Sequence, residues 1–370
     1  MGMWEIIIGV VFIILVAGLI YLGKSFGHFP VLIKLAKEKK PLCFIFGMLT
    51  VVLLGLVLFL TIGMVNAVMV LIHLSLFFLI TNLVFKIPKL KKLNSRIYLS
   101  GWIAIVVTAA YMIYAYFVAS TVVLTPYLIS TDKDIQPLRI VAISDSHVGA
   151  IFHADGFLKE VERINSLNPD LVVIVGDYVD DSTSEEDMQQ SCEALGTIEA
   201  TYGVCYVNGN HDKSFHGNDG FRGQGYEKML GCLKDNGVRI LVDETLELPE
   251  SQVTVIGRED KSAGGRRKEM KAFTPLDDEK FYVVLDHQPG DYEAEAASGV
   301  DLVISGHTHG GQLIPATFVG EWFGINDATY GLKRIGETDF IVSSGIADWQ
   351  LLFKTGCKSE IVVIDIASEF

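Results

Sequence analysis

Polar and apolar positions divide this chain into two regimes. Up to about residue 130 it runs for long distances without a charge. Eighteen residues separate Glu5 from Lys24, 45 separate Lys40 from Lys86, and 35 separate Arg96 from Asp132, with no Asp, Glu, Lys or Arg in any run. About 20 apolar residues carry a helix across the roughly 30 Å hydrocarbon layer of a bilayer, and soluble cores rarely sustain such runs. The middle run is long enough for two helices, with Thr61-Ile62-Gly63 as the turn. The pattern predicts four spans, near residues 4–23, 42–61, 64–85 and 98–123. They form an all-α transmembrane bundle over residues 1–124, followed by a linker over 125–137 that contains Pro126 and Pro137. The first span lacks a basic segment ahead of it and a small-x-small cleavage site, so the expectation is a retained helix.

From residue 138 onward, short apolar runs alternate with segments of helical spacing. Residues 138–143, 170–175 and 203–207 read as buried strands. Residues 155–168 place Phe157, Leu158, Val161, Ile164 and Leu167 at helical spacing. Residues 184–198 begin with Ser-x-x-Asp, a relative of the capping box, and 226–236 end before Gly237, a helix stop. Further strands are predicted near 239–243, 252–257, 281–286, 301–305, 339–344 and 360–366. Such alternation, followed by several strands, indicates an α/β domain over 138–370.

Charge sharpens the division. Residues 1–130 hold ten Lys or Arg and two Asp or Glu, against twenty and forty-two in the remainder, for a net charge of −14. A basic apolar front and an acidic globular back argue for a membrane anchor with a domain attached. The absence of a basic footprint argues against a nucleic-acid partner. Lys24, Lys34, Lys37, Lys39 and Lys40 follow the first span, and Lys86, Lys89, Lys91, Lys92 and Arg96 follow the third. Basic short loops stay cytoplasmic, so the sequence predicts a multi-pass protein of the cell membrane with its globular domain on the extracytoplasmic side. Asn66, His73 and Asn82 within the spans are expected to hydrogen-bond between helices. Beyond Glu5, at the edge of the first, the spans carry no Asp, Glu, Lys or Arg of the kind that ion-coupled carriers use. Five cysteines exclude a disulfide-dense scaffold, and Cys205, in a predicted strand, reads as a small core residue. Residues 258–271, with Arg266, Arg267 and Lys268 together, read as a solvated loop or, secondarily, as a lid that attracts phosphate.

The residues that follow each strand carry the chemistry. They are Asp145-Ser-His147, Gly176-Asp177, Gly209-Asn210-His211-Asp212, Asp286-His287 and Gly306-His307-Thr-His309. In open α/β folds, sites gather beyond the carboxyl ends of strands. An i, i+2 pair on an extended segment points two side chains the same way, so Asp145 with His147, and His307 with His309, can each grip an ion. Asp145, His147, Asp177, Asn210, His287, His307 and His309 are too many ligands for one tetrahedral site. With Asp177 bridging, they fill two. Mixed carboxylate and imidazole ligands suit manganese, iron or zinc better than calcium.

These five blocks, in this order, resemble the calcineurin-like metallophosphoesterase superfamily. The apolar N-terminal half, together with Gly306-His-Thr-His-Gly-Gly-Gln312, is similar to its bacterial membrane-associated branch. The resemblance covers about residues 138–370 and implies a four-layer α-β-β-α sandwich. It also implies that Asp145, His147 and His309 hold one divalent metal, that Asn210, His287 and His307 hold a second, and that Asp177 bridges them. His211, not a ligand, then faces the phosphate and assists the leaving group, and Asp212 is expected to orient His211. Asp180 reads as structural and Gln312 as substrate-facing. The implied activity is metal-dependent hydrolysis of a phosphate ester, mono- or diester, near the membrane surface. A phospholipid or lipid-linked phosphate suits that place, with membrane lipids as partners. The alternative is a non-catalytic metal-binding membrane sensor or scaffold, against which the intact ligand set and His211 both count. One departure lies in 345–361, where relatives often carry a Pro- and Arg-containing segment and this chain has Lys354, Gly356, Cys357 and Lys358.

Overall fold

The computed structural model of the protein describes residues 3–213, 225–314 and 317–369. The chain divides into two compact units, Met1–Tyr116 and Phe117–Phe370.

The first unit is built from helices α1 (Met3–Phe26), α2 (Pro30–Leu35), α3 (Lys40–Val84), α4 (Pro88–Ile97) and most of α5 (Leu99–Ser120). Among the described residues, three helical stretches are long and apolar enough to cross a membrane: Gly9–Phe26, Lys40–Val84 and Leu99–Ser120. Where the sequence suggests two spans, a single 45-residue α3 is found, interrupted at Gly63 (φ 79°, ψ 169°). A Cβ at Gly55 would lie 3.6 Å from the Leu71 side chain. Sixteen residues of straight helix span about 24 Å, so α3 doubles back at Gly63. Helix α1 runs close against α3: a Cβ at Gly18 would lie 2.9 Å from Ser75 Oγ, and one at Gly47 would overlap the Gly23 carbonyl. Small residues permit this close approach. Leu22, Val51, Leu71, Leu74 and Phe78 form the core. Asn82 makes the interhelical bonds expected of it, donating to Tyr21 Oη (3.0 Å) and accepting from Tyr98 Oη (3.1 Å) and Ser100 Oγ (2.8 Å). His73 Nδ1 and Asn66 Nδ2 reach carbonyls one turn back on α3, those of Met69 and Ile62.

The second unit holds twelve strands among the described residues. They are β1 (Val122–Thr131), β2 (Leu138–Ile143), β3 (Leu171–Val175), β4 (Val204–Val207), β5 (Val238–Ile240), β6 (Glu244–Leu248), β7 (Val253–Gly257), β8 (Phe281–Leu285), β9 (Leu302–Ser305), β10 (Gly331–Ile335), β11 (Thr338–Val342) and β12 (Ser359–Ser368). The helices are α6 (Ala154–Ser166), α7 (Glu185–Leu195), α8 (Gly225–Asp235), α9 (Tyr292–Ala297) and α10 (Val319–Trp322). Ser184 caps α7, its Oγ accepting from the Asp187 amide at 3.0 Å. Two six-stranded mixed sheets result, in the orders β1-β12-β2-β3-β4-β5 and β10-β11-β9-β8-β7-β6.

Strand alternation builds the cores. Ile140, Ala142, Leu171, Val173, Cys205 and Val207 of the first sheet pack with Val255, Val283, Leu285 and Ile304 of the second. Their neighbours Val141, Ile143, Val172, Ile174 and Tyr206 point the other way, onto Phe157, Val161, Met188, Leu195 and Leu233 of α6–α8. Ile256, Val284, Val303 and Phe340 pack with Met270 and Tyr292 on the far side of the second sheet.

The stretch 125–137 is not the linker the sequence suggests. Residues 122–131 form β1, paired in parallel along its whole length with β12. Pro126 is tolerated because β1 is an edge strand, where a missing amide leaves the ladder intact. The segment 258–271 is only in part the solvated loop the sequence suggests: Lys261, Lys268, Glu269 and Lys271 are exposed, but two of its arginines are paired. Arg258 is buried and pairs with Asp286 and Glu295 at 3.0 Å and with Asp291 at 2.8 Å, and Arg267 joins Asp286 as well.

Candidate metal centre

Four of the site loops start in the same way. Asp145, Asp177, His287 and His307 each stand two residues beyond the last residue of β2, β3, β8 and β9, and Asn210 stands three beyond β4. Tight turns follow, and Asp145, His147, Asp177, His307 and His309 all have φ between 37° and 71°. Asp and His enter this left-handed region more readily than most residues, yet it costs about 1–3 kcal/mol each and persists only where the surroundings fix it. Glycines make the room. A Cβ at Gly209 would overlap Asp177, and one at Gly306 would overlap Asp145 Oδ2.

The side chains converge in two groups of three, Asp145 with His147 and His309, and Asp177 with His287 and His307. In each group the donor atoms lie within 4.8 Å of one another. Asp177 Oδ2 lies near both groups, 3.1 Å from His287 Nε2 and 3.8 Å from His147 Nε2. That oxygen, Asn210 Oδ1 and both Nε2 atoms are buried without an aligned hydrogen-bond partner. Buried polar atoms seldom stay unpartnered, and oxygen and imidazole donors in this number fit two divalent cations. His211 lies outside both groups. Its ring centre is 5.2 Å from that of His147 and 4.6 Å from that of Trp349.

Electrostatics agree with a centre that attracts positive charge. Burial favours a neutral Asp177, but the His287 and His147 imidazoles outweigh it and hold the carboxyl well below its usual range. Burial opposes a charge on His287 too, yet the Asp177 carboxylate beside it pushes that imidazole well up. His307 goes the other way, pushed down to about 3 by burial and by the charge on His287.

The far nitrogens of three imidazoles face acceptors. His147 Nδ1 lies 3.0 Å from Asp180 Oδ2, His309 Nδ1 lies 3.1 Å from Asp348 Oδ1, and His287 Nδ1 lies 2.8 Å from the Val175 carbonyl. Such partners fix ring orientation and leave Nε2 for a metal. Asp180 thus stands directly behind the His147 ring, and Asp348 carries no signal in the sequence. Lys354, fully buried, sits 3.4 Å behind Asp348 and donates to the Ser344 carbonyl at 2.8 Å. Gln312 donates to Asp348 at 3.2 Å.

Asp212 does not have the part the sequence suggests. Its carboxylate is buried and taken up by backbone amides: those of Asp177 and Gly209 on Oδ2, those of Tyr178 and Val179 on Oδ1. It ties the Asp177 loop to the Asn210 loop. Burial and the nearby Asp177 charge raise its pKa to about 6.

A family model described as calcineurin-like phosphoesterase matches residues 138–311. An uncharacterized metallophosphoesterase of Campylobacter jejuni is 30% identical over 276 residues, 71% of this chain and 69% of the relative. One from Helicobacter pylori is 31% identical over 244 residues, 64% of this chain and 61% of the relative. A transmembrane protein with metallophosphoesterase domain from Danio rerio is 28% identical over 241 residues, 63% and 54% of the two chains. The chain thus spans between about half and about two thirds of the length of these relatives. Similarity of that extent, over the very loops that gather the histidines and aspartates, places the chain in the calcineurin-like metallophosphoesterase superfamily.

Proposed function

We propose that the protein is a membrane-anchored phosphoesterase that hydrolyses a phosphate ester near the membrane surface with two divalent ions, manganese, iron or zinc. The observation that carries this reading is the position of Asp177 Oδ2 between the two ligand groups. Asp145, His147 and His309 would hold one ion, and Asn210, His287 and His307 the other, with Asp177 shared. Bound there, the ions supply an activated water and neutralise the charge of the phosphate. The protein's own groups do the rest. Asp180 and Asp348 orient imidazoles. His211, steadied by Trp349, donates a hydrogen bond to the leaving oxygen, a role worth roughly 10²–10⁴-fold.

Four membrane crossings follow if each arm of α3 spans once, and the loop lysines then put the catalytic domain outside the cytoplasm. A phospholipid or lipid-linked phosphate suits that place. The three apolar clusters support the four-layer sandwich that the family resemblance implies.

The test is metal analysis of the full chain in detergent, with hydrolysis of model phosphomonoesters and diesters in added manganese. Two ions per chain and turnover are expected. His211→Ala should keep both ions and lose most turnover. A metal-loaded chain that hydrolyses nothing would favour the sensor or scaffold reading. A C-terminal reporter that reads cytoplasmic would refute the orientation.

A further inference from the structure

At one end of the first unit, the last turns of α1 and α3, with α2 and α4, enclose a cavity of about 630 Å³. Lys24, His28, Lys86 and Lys91 line it, and no carboxylate does. Among the described residues none of these three lysines forms an ion pair. The floor is fixed by Asn82, held by Tyr21, Tyr98 and Ser100. Leu79 and Leu83 add an apolar wall, and both face outward from the helices. Three cations, from α1, from the turn between α3 and α4, and from α4, over a polar floor and beside an apolar wall, form a site with two chemistries.

We propose that this cavity binds one anionic phospholipid, its headgroup phosphate on Lys24, Lys86 and Lys91 and an acyl chain along Leu79 and Leu83. Lysine binds phosphate as a mobile point charge, and basic pockets between spanning helices suit lipid headgroups. The site rests on the reading that this unit spans a membrane. It is independent of the metal centre, which belongs to the other unit.

The full chain, reconstituted in phosphatidylcholine nanodiscs with a minor fraction of phosphatidylglycerol, is released and weighed by native mass spectrometry. One retained phosphatidylglycerol per chain is expected. A triple variant, Lys24→Gln with Lys86→Gln and Lys91→Gln, should weaken retention about fivefold per lysine, on the order of a hundredfold in all. A control triple, Lys34→Gln with Lys37→Gln and Lys89→Gln, removes three nearby lysines that do not line the cavity and should retain the lipid. Equal losses in the two triples would mean diffuse attraction and overturn the site, as would full retention in the first. Soluble glycerol phosphate binding as tightly as the lipid would overturn a lipid occupant. An unchanged helical circular-dichroism signal and unfolding temperature in detergent show that both variants are folded. A chain that fractionates with membranes yet retains no anionic lipid refutes this site alone, whereas a chain absent from membranes refutes the anchoring reading.

Discussion

Replacing Asp212 by Asn separates two accounts of the residue. Its Oδ2 takes the amides of Asp177 and Gly209, both at 2.8 Å, and its Oδ1 takes those of Tyr178 (2.8 Å) and Val179 (3.1 Å). An amide keeps one acceptor and turns an NH₂ toward the other two donors. Two buried N–H groups then lose their partner, at about 1–3 kcal/mol each, or on the order of 4 kcal/mol together. For a unit of this size 1 kcal/mol moves Tm by about 2–4 °C, so a fall of roughly 8–16 °C is expected. Asp177 would lose its fixed position at the same time, and metal content should drop with stability. The assay is thermal unfolding of the full chain in detergent, followed by intrinsic fluorescence, beside metal analysis. If Asp212 instead acted on His211, turnover would fall while Tm and metal content held. A Tm within about 2 °C of the parent, with both ions retained, would refute the structural role.

Asp180→Asn and Asp348→Asn should each weaken metal binding about 10–100-fold, measured by chelator competition, because each removes the carboxylate behind an imidazole; unchanged affinity would mean that the rings hold themselves. Trp349→Ala removes the ring 4.6 Å from His211, so kcat should fall up to about tenfold, in line with the 0.5–1.5 kcal/mol of an aromatic pair, with metal content unchanged. Cysteines placed by Gly55→Cys and Leu71→Cys should cross-link in isolated membranes, since α3 reverses at Gly63; a continuous straight helix would hold them about 24 Å apart and give no link.

What the sequence reveals, and what it hides, follows from how each residue acts. Buried parallel strands such as β3 read as unbroken apolar runs, and the residues just past their ends stand out as the polar punctuation. Asp145, Asp177, His287 and His307 were legible for that reason. Edge strands expose one side, so β6 (Glu-Thr-Leu-Glu-Leu) and β10 (Gly-Leu-Lys-Arg-Ile) show no apolar run, and Pro126 masks β1. Asp348 acts across a fold from His309, thirty-nine positions away, in a stretch that carries no metal-ligand motif. Asp212 differs again: its partners are main-chain amides, which no side-chain pattern records. The break in α3 was visible as Gly63, but its consequence, one arm laid against the other, needed coordinates.

Strand β12 lies between β1 and β2. Its ten residues, made more than 200 positions after β2, thus fill a slot between two segments made long before. At 5–20 residues per second, β1 and β2 wait roughly 10–40 s for the strand that joins them. During that interval both present open ladders to anything nearby, and their closure depends on a contact of great sequence separation. Translation that stalls or stops short of Ser359 therefore leaves a gap in the middle of a sheet rather than a frayed end, and such fragments should be cleared by quality control instead of persisting as weakened enzymes.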